Sequence, residues 1–376
     1  MKKLRICMIC SEFPPSCAGI GKRVYSLSKT LVKQGHLVTV LTRGKFFQET
    51  KIRIEGINVI KLPFIAFPPP LHLFYHGYFV NKKLREMQND FDVIHLHTPL
   101  VPKITVSLPK IVQVHSLWME ETKYFKGAKD TYSVAVRMFK NQVINSEKNT
   151  LEQANAIVIY SEDENKLLQL YNINLCKLHI INGAVDSESA SLKKITKKYD
   201  VVFVGRLNPR KGVEEIMQAA SLIAKEIPSV KFLIIGNGNS KNWMEAQVER
   251  NKLQNNFTFL GFMPNKKVTS YLIQSRISIV PSRYEPFGIV TGEAMAVGLP
   301  VVGTKVGGIK RMVLDGVTGY LVNVGDYKLL AKKVVYLLQH PKKAVQMGCS
   351  GKKRISKYFN ENVIVAQFES AYKEII

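Results

Sequence analysis

Short apolar runs alternate with amphipathic stretches along this chain, and the alternation occurs in both halves of the sequence. In the first half, the runs Leu4–Cys10 and Leu37–Thr42 flank residues 20–34, where apolar side chains recur at helical spacing. In the second half, the run Val201–Val204 precedes a helix predicted over Val213–Glu226. Strands that alternate with helices are typical of parallel sheets joined by right-handed crossovers. The sequence therefore predicts an α/β protein with two doubly wound domains and a ligand site in the cleft between them.

Length and a polar segment indicate where the two domains meet. The chain has 376 residues, and domains hold roughly 100–200 residues each. Residues 187–199 are polar and rich in lysine, as linkers are. We therefore expect one domain over residues 1–190 and a second over residues 191–355.

The chain is strongly basic. It holds 54 Lys and Arg against 29 Asp and Glu, a net charge of +25 that is spread over both halves. A surface with this excess attracts phosphates, nucleic acid or an acidic membrane. The apolar fraction of 46% supports two ordinary cores and excludes a disordered chain or a small disulfide scaffold.

Neither an export signal nor a membrane span is predicted. The apolar part of Met1–Cys10 is too short for a signal peptide and fits a first buried strand. No segment offers the roughly 20 apolar residues that a membrane span needs. We therefore expect a cytoplasmic protein whose five cysteines are reduced thiols, with Cys7 and Cys10 on opposite faces of the first strand.

The segment 280–300 carries the strongest signal for a binding site. A strand is predicted to end at Val280, Glu285 lies in the loop that follows, and Pro286 suits the first turn of a helix. Free backbone amides at a helix N-terminus form a site for anions. The amides expected to do so here are those of Phe287, Gly288 and Ile289.

Glu285 and Glu293 are the two carboxylates of this segment. If the residues between them are helical, Glu293 lies roughly 12 Å beyond Glu285 along the axis. The two side chains are then too far apart to act as acid and base on one bond. Their spacing suits contacts with hydroxyls at two ends of an extended ligand that holds an anion between them.

A second loop supplies cations at the end of the predicted strand Val201–Val204. Arg206 and Lys211 both follow this strand. Arg206 offers a planar fork of donors and Lys211 a point charge, so together they can hold a diphosphate.

Two further loops each offer one residue that could meet a ligand. Gly19 precedes the first predicted helix, where a glycine lets the backbone approach a ligand closely. His115 stands at the carboxyl end of a predicted strand, Ile111–His115.

These segments together resemble the retaining, nucleotide-sugar-dependent glycosyltransferases of the GT-B fold, family four type. The resemblance runs over most of the chain. Its motifs are Pro14-Pro15…Gly19-Ile20-Gly21, Gly35-His36-x-Val38, Asp92-x-x-His95-x-His97, Asn182-Gly183…Asp186, Gly205-Arg206…Lys211-Gly212 and Glu285-x7-Glu293. The last two, in this order, are the specific ones. The resemblance implies two Rossmann-like domains that face each other across a cleft, and a terminal helix over 356–376 that returns to the first domain.

The resemblance also implies a role for each candidate residue. Arg206 and Lys211 would hold the diphosphate of a UDP- or GDP-sugar and stabilise its charge as it leaves. Glu285 and His115 would contact the donor sugar, and Glu293 would bind the ribose hydroxyls. The other donor contacts would be Gly19 for the diphosphate, the backbone of Phe262 and Met263 for the base, and the amides of Phe287, Gly288 and Ile289 for sugar and phosphate oxygens.

Three positions depart from the family pattern. Ala18 stands where the first glycine of a Gly-Gly pair is usual, and Ala184 is an extra residue in the turn at 182–186. Lys310 stands where the family often has a glutamate. The first two bear on loop geometry and leave the charged residues of the site in place.

The reaction implied is transfer of a sugar to a hydroxyl of a glycan or glycolipid, with retention of anomeric configuration. The acceptor hydroxyl attacks from the face that the diphosphate leaves, and the departing phosphate takes the proton. The charge that develops on the departing diphosphate is then stabilised electrostatically, and no enzymatic base, metal or cofactor is required.

Two patterns in the first half are similar to metal sites. Asp90-x-Asp92 is a literal D-x-D, but it precedes its strand, at the amino end, away from the expected site. His95-x-His97 places two imidazoles on one face of a strand, and no third ligand is suggested. We expect both to be structural and predict no metal.

Two other classes of function stay open at this point. A protein of this charge could be a binding protein for nucleic acid or anionic lipid, although no nucleic-acid module is recognisable. Another GT-B enzyme, such as an epimerase or a phosphorylase, would share the architecture.

The segment Phe64–Phe79 is unusually aromatic. It could line an acceptor groove or touch lipid at the inner face of the membrane, which the net charge would favour. Alternatively, residues Leu71–Val80 pack a helix onto the sheet. The donor sugar, its base and the acceptor are not determined by these patterns.

Overall fold

The computed structural model describes residues 3–14, 19–66, 71–125, 131–173, 177–186 and 196–376. The chain divides into two units, Met1–Ala184 with Glu361–Ile376, and Val185–Asn360. The predicted boundary at residues 190/191 lies outside the described residues, as does most of the predicted linker. Tyr199, the last residue of that linker, already belongs to a strand.

The first unit is built on an eight-stranded sheet whose central strands are buried on both faces. Its strands are β1 (Arg5–Ile9), β2 (Leu37–Arg43), β3 (Thr50–Ile54), β4 (Ile57–Leu62), β5 (Val93–Thr98), β6 (Lys110–Val114), β7 (Ala156–Ile159) and β8 (Lys177–Ile180). Its helices within Met1–Ala184 are α1 (Gly19–Lys33), α2 (Leu71–Glu86), α3 (Trp118–Glu121), α4 (Thr131–Met138), α5 (Lys140–Glu152) and α6 (Glu162–Gln169).

The strand order of this sheet is β3-β4-β2-β1-β5-β6-β7-β8. Neighbouring strands are parallel except for the hairpin of β3 and β4. Successive crossovers run in opposite directions from the junction of β1 and β5, which is the switch point where ligands bind in doubly wound sheets. The sequence motifs at Gly19 and His115 follow β1 and β6, at the carboxyl edge.

Alternate residues of β1 enter two separate cores. Cys7 and Ile9 pack on one face of the sheet, with residues of α2, α5 and α6. Met8 and Cys10 pack on the other face, with residues of α1 and the C-terminal helix. The prediction that Cys7 and Cys10 point to opposite faces is confirmed, and both are buried free thiols.

The second unit repeats the plan with a parallel sheet of order β11-β10-β9-β12-β13-β14. Its strands are β9 (Tyr199–Val204), β10 (Phe232–Ile235), β11 (Phe257–Gly261), β12 (Ser275–Val280), β13 (Val301–Thr304) and β14 (Gly319–Val322). Its helices are α7 (Val213–Glu226), α8 (Lys241–Arg250), α9 (Asn265–Ile273), α10 (Ile289–Ala296), α11 (Gly307–Met312), α12 (Tyr327–Gln339) and α13 (Pro341–Tyr358). The switch point of this sheet lies between β9 and β12, so the loops that follow these two strands are neighbours.

The terminal stretch differs from the single helix predicted over 356–376. Helix α13 ends at Tyr358, and the last helix, α14 (Glu361–Lys373), begins after a break of two residues. The break lets the Glu361 carboxylate accept hydrogen bonds from Ser26 and Thr30 of α1. By its contacts, α14 belongs to the first unit.

A buried histidine of the Gly35-His36 motif holds α14 against this unit. The amide of Leu4 donates to Nδ1 of His36 over 3.1 Å, which leaves the ring proton on Nε2. That nitrogen lies 2.7 Å from a carboxylate oxygen of Glu369, and both side chains are only 4% exposed. The motif therefore links the start of β2 to the returning helix α14.

The aromatic segment Phe64–Phe79 lies in helix α2 from Leu71 onward. Residues 67–70 of this segment lie outside the described residues. Leu73, Val80 and Leu84 are buried under the helix, so α2 does pack onto the sheet. Phe74, in contrast, is 73% exposed, and the outer face of the helix stays aromatic. Among the helices of the described residues, none has the length and apolarity to cross a bilayer.

Candidate active site

An ion pair joins the two sequence motifs of the second unit. The ammonium group of Lys211 donates to the Glu285 carboxylate, and the two side chains are only 15% and 12% exposed. The hydroxyl of Ser282 donates to the same carboxylate oxygen over 3.2 Å. A cation and a carboxylate that the sequence placed in separate loops thus share one small site.

The topology of the sheet explains why these loops meet. Lys211 follows β9 and Glu285 follows β12, and these strands are parallel neighbours. Gly212 has a φ of +73°, and a Cβ atom built on it would lie 2.0 Å from the Pro281 carbonyl oxygen. Glycine is required at this position because the two loops touch through their backbones.

Two further contacts fix the loops to each other. The amide of Arg283 donates to the Arg210 carbonyl over 2.8 Å. The Arg283 guanidinium pairs with Glu214 and Glu215 in the first turn of α7. The position of Lys211 beside Glu285 is therefore set by backbone and side-chain contacts on both sides.

The pKa of Glu285 reflects two opposing effects. Burial raises it, but the charges of Lys211 and Arg210 and the hydrogen bonds from Lys211 and Ser282 lower it more. The pKa therefore lies below the usual value of a glutamate, and the carboxylate is ionised at neutral pH. An ionised carboxylate accepts hydrogen bonds only, which suits a contact with sugar hydroxyls.

Helix α10 begins at Ile289, and the prediction that Pro286 lies in its first turn is wrong. Gly288 precedes the helix with φ +81° and ψ +55°, a left-handed conformation that interrupts any helix reaching back to Pro286. Within the part of the chain that the structure describes, no hydrogen bond takes the amide of Gly288 or Ile289. These two amides and the positive end of the α10 dipole lie at the end of the loop that holds Glu285.

The remaining predicted residues of this segment lie on either side of that turn. Phe287 is 2% exposed and anchors the loop in the core, so its contribution to a ligand site is its backbone. Glu293 is partly buried on the second turn of α10. Because residues 285–288 are not helical, the distance of roughly 12 Å expected between Glu285 and Glu293 for a continuous helix does not apply.

Two glycines that the sequence reasoning missed support this loop. Gly307 and Gly308 begin α11, and the Gly308 amide donates to the Glu285 carbonyl over 3.1 Å. A Cβ atom on Gly307 would lie 2.1 Å from the Glu285 carbonyl oxygen, and one on Gly308 would lie 1.7 Å from that of Phe287. The signal that could have revealed them is a Gly-Gly pair two residues beyond the end of a buried strand, β13.

The other predicted donor contacts of this unit also lie at the carboxyl edge of the sheet. Arg206 follows β9, is exposed, and makes no ion pair within the described residues. Phe262 and Met263 follow the edge strand β11, and the Phe262 side chain is 79% exposed. The edge thus presents a cation at β9 and an aromatic ring at β11.

In the first unit, His115 lies in a chain of buried hydrogen bonds across three neighbouring strands. Its Nδ1 atom lies 2.6 Å from the Tyr160 hydroxyl, and its Nε2 atom lies 3.1 Å from Nδ1 of His97. Gln113 donates to the Tyr160 oxygen over 3.1 Å. Both ring nitrogens of His115 are therefore engaged.

His97 and His115 are neutral at physiological pH. Burial lowers the pKa of His97 to about 3, and burial, together with the positions of His97 and of the Arg23 cation beside it, places the pKa of His115 well below the usual value. Because Gln113 donates to Tyr160, the tyrosine hydroxyl proton is available to Nδ1 of His115. The ring proton of His115 then resides on Nε2 and points to His97.

Gly19 is the first residue of α1 and is exposed. No atom lies within 4 Å of a Cβ built on it, so packing within the described residues gives no reason for a glycine there. The neighbouring Ala18 lies outside the described residues. A side chain of the same loop, Glu12, accepts a hydrogen bond from the Gly21 amide over 3.2 Å at the start of α1.

The metal-like patterns have structural partners. Asp92 pairs with Arg5 at 2.7 Å, at the amino end of β1 and β5. His95 Nδ1 lies 2.8 Å from the Tyr372 hydroxyl of α14, next to the His97–His115 pair. Among the described residues, no group of three His, Cys, Asp or Glu side chains is arranged to hold a metal ion.

Two protein-family models match this chain, one over each unit. The model described as glycosyl transferases group 1 covers residues 185–354, which include the Lys211–Glu285 site. The model described as glycosyltransferase family 4 covers residues 18–189. The chain belongs to glycosyltransferase family 4.

Relatives of this glycosyltransferase match over nearly its whole length. The glycogen synthase of Mycobacterium tuberculosis is 24% identical over 98% of this chain and 94% of its own. The solved sucrose-phosphate synthase of Thermosynechococcus elongatus is 23% identical, with a TM-score of 0.82 over 98% of both chains. The HepE protein of Anabaena, solved with UDP and glucose, is 17% identical, with a TM-score of 0.72 over 99% of this chain and 100% of its own. The expected GT-B fold, with two Rossmann-like α/β domains, is confirmed.

Proposed function

We propose that this glycosyltransferase moves a sugar from a nucleotide-diphosphate sugar to a hydroxyl of a glycan or glycolipid, with retention of anomeric configuration. The observation that carries the proposal is the Lys211–Glu285 pair beside the amides of Gly288 and Ile289. A cation and a helix N-terminus bind the diphosphate from two sides. The ionised carboxylate next to them accepts hydrogen bonds from the hydroxyls of the attached sugar.

The donor is a UDP- or GDP-sugar in this proposal. The Anabaena HepE protein was solved with UDP and glucose, and that supports a uridine nucleotide for a chain of the same fold. Arg206 and Gly19 contact the diphosphate, Glu293 binds the ribose hydroxyls, and the backbone of Phe262 and Met263 meets the base. These roles rest on the family resemblance and on the place of each residue at a carboxyl edge of its sheet.

The chemistry that follows is a same-face substitution. The bond between the anomeric carbon and the diphosphate oxygen breaks, and its electron pair leaves with the diphosphate, whose charge Arg206 and Lys211 stabilise. The acceptor hydroxyl forms the new bond on the same face, and its proton passes to the departing phosphate oxygen. His115 contacts the donor sugar as a neutral group and takes no proton.

The reaction is proposed to run without a metal ion or cofactor, because the two cations supply the stabilisation of charge that a metal gives other transferases. Full turnover after dialysis against EDTA is the expected result. Loss of turnover in EDTA that Mg²⁺ or Mn²⁺ restores would contradict this part of the proposal.

An epimerase or phosphorylase of the same fold is the alternative, and product analysis separates the three. The protein is incubated with UDP-glucose, UDP-N-acetylglucosamine or GDP-mannose and a panel of glycan and glycolipid acceptors. Free nucleotide diphosphate and a new α-linked glycoside, identified by NMR, are expected. A β-linked product would refute retention. A changed nucleotide sugar without transfer would indicate an epimerase, and release of sugar phosphate by inorganic phosphate would indicate a phosphorylase.

We also propose that the enzyme acts in the cytoplasm, as a peripheral protein at the inner face of the membrane. The net charge of +25 supports this, since each cation that comes close to an anionic leaflet contributes about 1 kcal/mol. A glycolipid acceptor would be met at that surface. Nucleic acid is not a partner in this proposal.

A further inference from the structure

One face of α2 is exposed and changes character along its length. Leu71, Phe74 and Tyr78 are 57%, 73% and 61% exposed. At 100° per residue, these three positions and Lys82 and Arg85 fall within roughly 80° of one another. Lys82 and Arg85 are also exposed. A single stripe of the helix is therefore apolar in its first turns and cationic in its last.

The loop between β2 and β3 extends the apolar part of this stripe. Phe46 and Phe47 are 54% and 70% exposed, and their ring centroids lie 3.7 Å apart. Phe47 meets Tyr75 of α2 with centroids 6.4 Å apart. Its φ of +53° is a left-handed conformation that bulky residues rarely adopt, so the turn presents this ring at a cost in backbone strain.

We call these five exposed side chains the aromatic patch; it consists of Phe46, Phe47, Leu71, Phe74 and Tyr78. Clustered apolar side chains on a surface mark a site of contact with a protein or a membrane. None of the five is needed to fill a core, because more than half of each side chain is exposed. The patch therefore needs a partner to explain it.

The charges around the aromatic patch are mainly positive. The charged residues on the same loop, strand and helix are Lys45, Lys51, Arg53, Lys82, Lys83 and Arg85, against Glu49 and Glu86. Lys83 lies 3.0 Å from Glu49 and 2.7 Å from Glu86, so it satisfies both carboxylates. Lys45, Lys82 and Arg85 take part in no ion pair within the described residues. These three cations are available to an anionic partner.

We propose that the aromatic patch is the surface by which this protein lies on an anionic lipid leaflet. The aromatic rings enter the boundary between headgroups and acyl chains, and Lys45, Lys82 and Arg85 contact lipid phosphates. A second copy of the chain is a poorer partner, because a two-fold contact would bring these cations near one another. The inference deepens the peripheral membrane role proposed above and rests on it.

Flotation with vesicles tests the surface directly. The full-length protein is mixed with vesicles of phosphatidylcholine alone or with added phosphatidylglycerol, and the bound fraction is measured. We expect binding only to the anionic vesicles. Phe47→Ser and Phe74→Ser should each lower the partition coefficient about tenfold, since each removes one buried aromatic side chain. Lys82→Glu should lower it by a similar factor because it reverses a charge at the surface.

A matched control distinguishes binding by this surface from attraction of the whole basic protein to anionic vesicles. Lys332→Glu makes the same charge change on an exposed residue of α12, in a pair of helices, residues 327–358, that holds basic residues and no acidic ones. The proposal expects this variant to float nearly as the wild type does. Equal losses for Lys332→Glu and Lys82→Glu would show that the whole basic surface acts and would overturn the assignment.

The remaining outcomes are also decisive. If the wild type fails to bind either vesicle, the membrane role itself is wrong. If the wild type floats and both serine variants float equally well, the role stands and the aromatic patch is not the surface. If the wild type is a dimer without lipid and the serine variants are monomers, the patch joins two copies and the proposal is overturned. Unchanged circular dichroism and melting temperature of each variant verify that it is folded.

Discussion

Lys211 and Glu285 lie 74 residues apart in the sequence and form a direct ion pair at the carboxyl edge of the second sheet. Glu285 thus gives Lys211 a counter-charge from within the protein itself. A diphosphate that binds there must draw Lys211 toward phosphate oxygens and leave Glu285 to the hydroxyls of the sugar. The pair is therefore a structural link between the two loops, and in the proposed function it also separates the diphosphate of the donor from its sugar.

Replacement of Lys211 by alanine should reduce turnover by about 10²–10³, the usual cost of losing one electrostatic contact to a transition state. Steady-state assays with the donor found by screening measure this. Lys225→Ala removes an exposed lysine from the last turn of α7 and should leave turnover near wild type. A Lys211→Ala enzyme that keeps its full rate would remove Lys211 from the mechanism.

Addition of one methyl group at Gly308 should disturb the loop that holds Glu285 and Phe287. The new Cβ would lie 1.7 Å from the Phe287 carbonyl oxygen, so the backbone of one of the two loops must move. We expect Gly308→Ala to lower the free energy of unfolding by on the order of 2 kcal/mol, as overpacking of a tight site does, and to weaken donor binding. Denaturant titration and calorimetry measure the two effects.

Gly351→Ala is the control for this effect. It adds the same group within α13, where the nearest atom is a Met295 side-chain carbon at 3.4 Å. This variant should be at least as stable as the wild type, since alanine favours a helix over glycine. Equal stability of the two variants would show that the loops are looser than the contacts indicate.

His115 should carry its proton on Nε2 and stay neutral at physiological pH. Burial lowers its pKa, and the hydrogen bond from Tyr160 occupies Nδ1. Long-range ¹H–¹⁵N spectra report the protonation of each ring nitrogen. Tyr160→Phe should shift His115 toward a mixture of tautomers and leave His36, which is fixed by the Leu4 amide, unchanged. A proton found on Nδ1 of wild-type His115 would contradict the network.

Glu147 should make stability depend on pH. Burial raises the pKa of this carboxyl to about 8, more than the hydrogen bonds from Tyr171 and the Trp118 amide lower it. The folded state then binds a proton that the unfolded state has released, so stability falls as pH rises from about 5 to 8.

Glu147→Gln should remove the contribution of Glu147 to this dependence. Between about pH 5 and 8, its free energy of unfolding should rise relative to that of the wild type by up to about 1.4 kcal/mol per pH unit. Urea titrations at several pH values measure the slope. Glu152→Gln, on the exposed face of the same helix α5, should keep the wild-type slope. Parallel slopes for wild type and Glu147→Gln would mean that Glu147 is ionised in the folded protein.

The loops of the candidate site could be predicted because each follows a short buried run, and parallel strands present their carboxyl ends at one edge. The contact between Lys211 and Glu285 could not, since it depends on β9 and β12 being neighbours. The start of α10 was misplaced because nothing local distinguishes Pro286 at a helix start from Pro286 in a loop. The left-handed conformation of Gly288 starts the helix at Ile289, and Gly308, from the next loop, supports that turn.

Elements without a buried apolar run were missed for a different reason. Strand β3 is an edge strand with exposed residues in its middle, and β8 is only partly buried, so neither shows a continuous apolar pattern. The network of His97, His115 and Tyr160 spans three strands that are distant in sequence. Single residues could be proposed from their motifs, whereas their hydrogen bonds required the register of the sheet.

The affinity of UDP or GDP, whichever the screen selects, tests the central claim most directly. Isothermal titration is run on the wild type, Lys211→Ala and the control Lys225→Ala. Loss of a charged hydrogen bond costs about 1.5–3 kcal/mol, so Lys211→Ala should bind about 10- to 100-fold more weakly, and Lys225→Ala should bind as the wild type does. Equal affinity of all three proteins would show that the diphosphate lies elsewhere and that this site does not hold the donor.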